Sequence, residues 1–180
     1  MLKPYIILAL CSLSVLFSSS VSAQRSTLER DLAEEVRILA DNNFLDAADS
    51  VYRAWGNVRI TQGSLLITAN TLEITGFEQA DAEAELFLLA GTDSQPATYR
   101  QEIEAGMFVN ANAIRIEYDA SNRILRLFGA AELQQDGNVV RAESIVYDVE
   151  SKSVSASRSD DNQVETIFRP RLRQPTNSSN

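Results

Sequence analysis

WGNVRITQGSLLITANTLEIT, residues 55–75, alternates apolar and polar side chains with a period of two. Val58 and Ile60 interleave with Arg59 and Thr61. Gln62-Gly63-Ser64 makes a turn, after which Leu65, Ile67 and Ala69 share a face. Beyond a bend at Asn70-Thr71, Leu72 and Ile74 do the same. This is the pattern of half-buried strands; an amphipathic helix would space its apolar positions by three and four. The pattern returns 73 residues later as FGAAELQQDGNVVRAESIVYD, residues 128–148, with Gly129, Gln135 and Ala142 in the places of Gly56, Gln62 and Ala69. Three identities in 21 positions are few. The shared apolar parity across the window is the stronger sign of a repeated strand-turn-strand unit.

The same period extends outward in both directions. Upstream, Val36 and Ile38 flank Arg37, Asp41-Asn42-Asn43 reads as a turn, and Phe44-Leu45 as a short strand. Downstream, ADAEAELFLLA (80–90) is rich in helix formers, yet its place in a strand series favours a strand over 85–90. PATYRQ (96–101) is a strand with proline at its first residue, where the missing N–H does least harm. Residues 102–106 read as a turn. Strands then follow at Phe108–Ala111, at Ile114, Ile116 and Tyr118, at Ile124–Leu127, at Val154 and Ala156, and at Val164–Phe168, which Pro170 stops. Asp136-Gly137 is a hairpin signal.

The fold class predicted is therefore all-β, an elongated pair of antiparallel sheets of about fifteen to sixteen short strands. No helix-length segment separates the strands, so a parallel βαβ topology is excluded. Before them, residues 24–35 read as a polar arm or short helix, with Ser26 and Glu29 spaced as a capping box. The β domain spans 36–170, and the aperiodic polar residues 171–180 read as a disordered tail.

Residues 1–23 have the form of a cleavable export signal: Lys3, an apolar run of 13 residues from Tyr5 to Phe17, then Val21-Ser22-Ala23 as the cleavage site. A retained membrane anchor is the alternative. Cleavage after Ala23 removes Cys11, the only cysteine, so the mature chain must hold itself together by packing alone. The net charge of −9 argues against nucleic acid as a partner, because phosphate binding needs a basic stripe. The chain has no histidine, and Lys152 is the one lysine beyond the leader. The usual general bases, nucleophile activators and nitrogen metal ligands are thus missing. The acidic residues show no spacing that selects a glycosidase pair or a calcium loop. No enzymatic activity, metal or cofactor is expected.

What remains is the inward row of the strands, which includes Val36, Ile38, Val58, Ile60, Tyr99, Ile116 and Tyr118. An ordinary closed core is one reading of it. An apolar seam that admits a guest is the other, favoured by aromatics spread evenly along the chain from Phe44 to Phe168.

GNVRITQG (56–63), PATYRQ (96–101) and GAAELQQDGN (129–138) resemble the OstA-like family of periplasmic lipopolysaccharide-transport bridge proteins, over nearly all of 36–170. The segment 77–95 departs from that family in being long, acidic and alanine-rich. The resemblance implies a twisted β-jelly roll open at both ends, holding lipid A acyl chains inside. It places lipid-facing positions on Val36, Ile38, Tyr99 and Tyr118. With Val58, Ile60 and Ile116 from the same inward row, these form the expected lipid-binding set. It further implies head-to-tail self-association, an LptC-like inner-membrane partner at the N-terminal edge (Val36, Ile38) and an LptD-like outer-membrane partner at the C-terminal edge (Val164, Phe168). A membrane-anchored LptC-like subunit and a secreted structural β-repeat module with a closed core are the rival readings.

Overall fold

Alternating side chains form strands only where a neighbour satisfies the backbone, so the pairing is what turns this pattern into a fold. The computed structural model describes residues 27–76, 86–160 and 163–170. The expected export signal, residues 24–26 with Ser26 of the expected capping box, 77–85, 161–162 and the expected tail lie outside the described residues. A five-residue helix, α1 (Thr27–Asp31), comes first. Twelve strands follow: β1 (Arg37–Leu39), β2 (Asn42–Asp46), β3 (Val51–Gln62), β4 (Leu65–Thr75), β5 (Leu86–Ala90), β6 (Ala97–Glu104), β7 (Met107–Ala113), β8 (Arg115–Asp119), β9 (Ile124–Gln135), β10 (Asn138–Asp148), β11 (Ser153–Ser157) and β12 (Glu165–Ile167). The strand predicted over 85–90 is β5, not helix.

Every pairing is antiparallel, and the hydrogen bonding runs through one twelve-stranded sheet. That sheet is folded over on itself. In one layer β1, the second half of β3, the first half of β4, β6, β7, the second half of β9, the first half of β10 and β12 lie side by side. In the other layer lie β2, the first half of β3, the second half of β4, β5, β8, the first half of β9, the second half of β10 and β11. Counted by layer there are sixteen short segments. They come from twelve strands because β3, β4, β9 and β10 pass unbroken from one layer to the other.

The crossing points form a seam. Gly56 and Asn57 take φ of 80° and 48°, Gly129 and Ala130 take 78° and 46°, and the pairing slips at both places. Two successive left-handed residues kink a strand without ending it. A Cβ on Gly129 would meet the Ile114 side chain at 3.0 Å, so the seam is also tightly packed there. The other strand pairs turn over the same line. Asp41 donates to the Gly56 carbonyl at 2.8 Å and Ile114 to that of Gly129 at 3.0 Å. Asn42-Asn43 are strand rather than the predicted turn, because Asp41 alone makes the corner. β6 likewise continues to Glu104, beyond the predicted turn at 102, since Ile103 keeps the inward parity at 5% exposure.

The 73-residue repeat holds residue by residue. Ile38 opposite Ile60 recurs as Ala111 opposite Leu133, and Ile60 opposite Ile67 as Leu133 opposite Val140. The chain is thus two units of six strands, β1–β6 and the stretch from β7 to β12. They join where β6 pairs with β7 and β5 with β8. Ten residues separate β4 from β5, whereas four separate β10 from β11, so the connection is longer in the first unit.

Candidate functional site

The inward parity of both layers meets in one apolar interior. Val58, Ile60, Tyr99, Ile116 and Tyr118, all expected there, are at most 3% exposed. Tyr99 on β6 and Tyr118 on β8 touch across the layers with ring centroids 5.6 Å apart, and Phe87 lies 6.1 Å from Tyr118. Ile38 sits beside Ile60 at the open edge, half-buried, while Val36 just outside β1 is 46% exposed.

Cavities lie at both ends of this interior. At the N-terminal end one of about 220 Å³ lies between Ile60, Leu65 and Ile67 of one layer and Phe87 and Tyr118 of the other, with Leu32 and Val36 at its rim. At the C-terminal end one of about 430 Å³ is bounded by Leu133, Val140, Val154, Val164 and Phe168. Between them the interior is filled by side chains, Tyr99, Ile116, Leu127, Ile145 and Tyr147 each being no more than 1% exposed. The expected open trough is therefore two mouths and a packed centre. Apolar faces this close gain contact energy by meeting, so they close on each other when nothing lies between.

Each end presents unpaired backbone. β1 and β2 hydrogen-bond only to β3, and β11 and β12 only to β10. Of the ten large apolar residues exposed among those described, eight lie at these ends: Val36, Leu39, Phe44 and Leu45 at one, and Val154, Val164, Ile167 and Phe168 at the other. Sequence reasoning identified β1 and β12 as edges but missed β2 and β11. The repeat contained the signal, because Phe44-Leu45 stand 73 residues before Glu117-Tyr118 of β8, an inter-unit joint strand.

Opposite the seam, the strand turns of the two layers face each other across a slit. In the first unit α1 lies against β6 and places Leu28 in the core at 6% exposure. Ser64 bonds the buried Asp31 carboxylate and accepts from the Glu102 N–H at 3.0 Å, and Gln62 donates to the Leu32 and Glu34 carbonyls at 3.3 and 3.1 Å. Where the two units meet, the Lys152 ammonium of the second pairs with Glu104 at the end of β6 in the first. This is the one ion pair of six among the described residues that joins the two layers.

Polar groups inside are few. Asp119 braces its own turn by accepting from the Asn122 N–H at 2.9 Å, and Tyr99 donates to Gln101. Burial pushes the Tyr99 phenol well above its usual range, with Tyr118 and Tyr147 adding to it. Burial also raises the Tyr147 phenol, helped by the charges of Asp148 and Glu104. Among the described residues no cluster of acidic or sulfur ligands is suited to a metal ion.

Several known proteins are similar to this chain in sequence or shape. The Haemophilus influenzae lipopolysaccharide export system protein LptA is 34% identical over 87% of each chain. The Pseudomonas aeruginosa export protein LptH is 31% identical over 84% of this chain and 83% of its own. The crystal structure of P. aeruginosa LptH, described as the LptA-homologous periplasmic component of the lipopolysaccharide transport device, superposes with a TM-score of 0.69 at 26% identity. The match covers 78% of this chain and 99% of that one. A family model described as LptA/(LptD N-terminal domain) LPS transport protein matches residues 37–153. The chain belongs to that lipopolysaccharide-transport family.

Proposed function

We propose that this chain is a periplasmic, non-enzymatic carrier that shields the acyl chains of lipopolysaccharide between an inner-membrane and an outer-membrane partner. The observation that carries the reading is an apolar interior with a mouth at each end, framed by free strand edges and exposed apolar side chains. Each CH₂ taken from water gains about 0.8 kcal/mol, so a multi-chain lipid crosses an aqueous gap only inside such a shelter. Acyl chains enter by displacing the contact between Tyr99 and Tyr118 and parting the layers. Sugars and phosphates stay in solvent, repelled by the acidic surface. The lipid-binding set is Val36, Ile38, Val58, Ile60, Tyr99, Ile116 and Tyr118.

The ends join copies and partners by strand addition. The internal joint supplies the register. Gln101 opposite Val109 becomes Phe168 of one copy opposite Val36 of the next. Tyr99 opposite Ala111 becomes Thr166 opposite Ile38, and Phe87 opposite Tyr118 becomes Val154 opposite Leu45. The N-terminal edge receives an LptC-like protein and the C-terminal edge an LptD-like one by the same rule. In this reading 1–23 is cleaved on export and 171–180 stays outside the β domain.

The test places a photo-crosslinking residue at Tyr118 in cells. Lipopolysaccharide adducts are expected, and Ile38→Asp should abolish them while leaving the far-UV circular dichroism unchanged. The packed centre favours a second reading, a structural module with a dry core. Absence of adducts from the wild-type background would select it.

A further inference from the structure

We propose that Tyr147 reads the acyl linkage of the bound lipid: its buried hydroxyl, on the strand that runs into the turn carrying Lys152, donates to the ester or amide carbonyl that ties an acyl chain to its headgroup. The proposal rests on the carrier reading above.

Tyr147 is fully buried, and its hydroxyl is the one buried side-chain polar atom among the described residues that lacks a hydrogen-bond partner. A buried donor left unmatched costs stability, so such a group needs an explanation. Packing does not supply one. The equivalent position in the first unit is Ile74, which fills its place with hydrocarbon alone: Ile74 lies opposite Tyr52 and Phe87, as Tyr147 lies opposite Leu125 and Val154. The fold therefore accommodates a plain apolar side chain at this point of the unit.

Location supplies the explanation. Tyr147 lies one residue from the end of β10, next to the turn that carries Lys152, and close enough to Glu104 to feel its charge. That places it on the interior side of the slit where the two units meet. An acylated amphiphile in this protein has its chains among Leu125, Leu127 and Ile145 and its headgroup in water, so its carbonyls must lie at the boundary between the two. Burial holds the phenol protonated. A neutral donor at that depth matches a neutral carbonyl oxygen, whereas the phosphates remain outside.

The test compares the mature wild-type chain with Tyr147→Phe. Thermal unfolding without lipid should give an unchanged or slightly raised midpoint. Titration with purified rough lipopolysaccharide should show affinity reduced about threefold to tenfold, the effect of one neutral hydrogen bond. Titration with an alkyl glycoside, which has a chain and no acyl carbonyl, should give equal affinities. Equal lipopolysaccharide affinities overturn the proposal, as does a common loss for both ligands, which marks a packing effect. A lowered midpoint in the lipid-free protein also overturns it, because the hydroxyl would then already have a partner. A wild-type chain that binds no lipopolysaccharide removes the carrier reading, and this proposal with it.

Discussion

In the first unit the slit between the layers is stopped by hydrocarbon: Leu28 of α1 is driven into the core, and Leu32 closes one rim of the N-terminal cavity. Where the two units meet, the same gap is spanned by an ion pair, Glu104 of the first with Lys152 of the second, whose side chains are 53% and 34% exposed. The strand plan beneath is the same in both. Burying a leucine contributes about 2 kcal/mol, and a half-exposed ion pair about 0–1 kcal/mol. The two closures therefore differ in strength and in kind, and the ion-paired one is the weaker. The end cavities follow the same order, about 430 Å³ at the C-terminal end against about 220 Å³ at the other.

The largest test of this contrast lies in the core. Ile67 and Val140 are repeat equivalents, each lining the cavity at its own end, but Ile67 is fully buried, whereas Val140 is only partly buried. Ile67→Ala should cost about 2–5 kcal/mol in urea unfolding, and Val140→Ala about 1 kcal/mol or less. Equal costs would mean that the two ends are packed alike. Next come the closures themselves. Leu28→Ala should lose about 2 kcal/mol and Lys152→Gln less than about 1 kcal/mol, by the same measurement; the reverse order would break the comparison. The smallest effect is confined to alkaline pH. Tyr99 and Tyr147 are held neutral in the fold by burial, while the unfolded chain ionises its phenols from about pH 10. Above that pH the unfolded state binds fewer protons, so stability falls as pH rises. Melting midpoints from pH 8 to 11 should stay level and then drop, with Tyr147→Phe softening the drop.

Much of this was legible in the residues, because a period of two reports which side chains share a face and a repeat reports which strands are equivalent. Leu86–Ala90 was read correctly against its helix propensity for that reason. The kinks at Gly56-Asn57 and Gly129-Ala130 were not legible, since chemistry that kinks a strand looks the same as chemistry that ends one. Asn42-Asn43 and Glu102 misled for a related reason. Turn-forming and charged side chains lie on strands wherever their outward parity leaves them in water. The seven expected interior residues do converge on the interior or its rim. The closed centre was not legible, because parity says that Tyr99 and Tyr118 face inward and nothing of whether their rings meet. Nor was α1 as a stopper, since Leu28 and Leu32 fit a solvated arm equally well.

One property of the eight-segment layers bears on how a lipid would travel. Neighbouring strands in a sheet turn by about 20° relative to each other, so the seven steps between eight of them turn the slit through roughly 140° from end to end. If the chain carries lipid as proposed, a headgroup riding outside while its tails move within would follow a screw, close to half a revolution for each copy passed. Copies joined in the internal register continue that screw without a break, and a joint slipped by two residues would present the next opening out of phase.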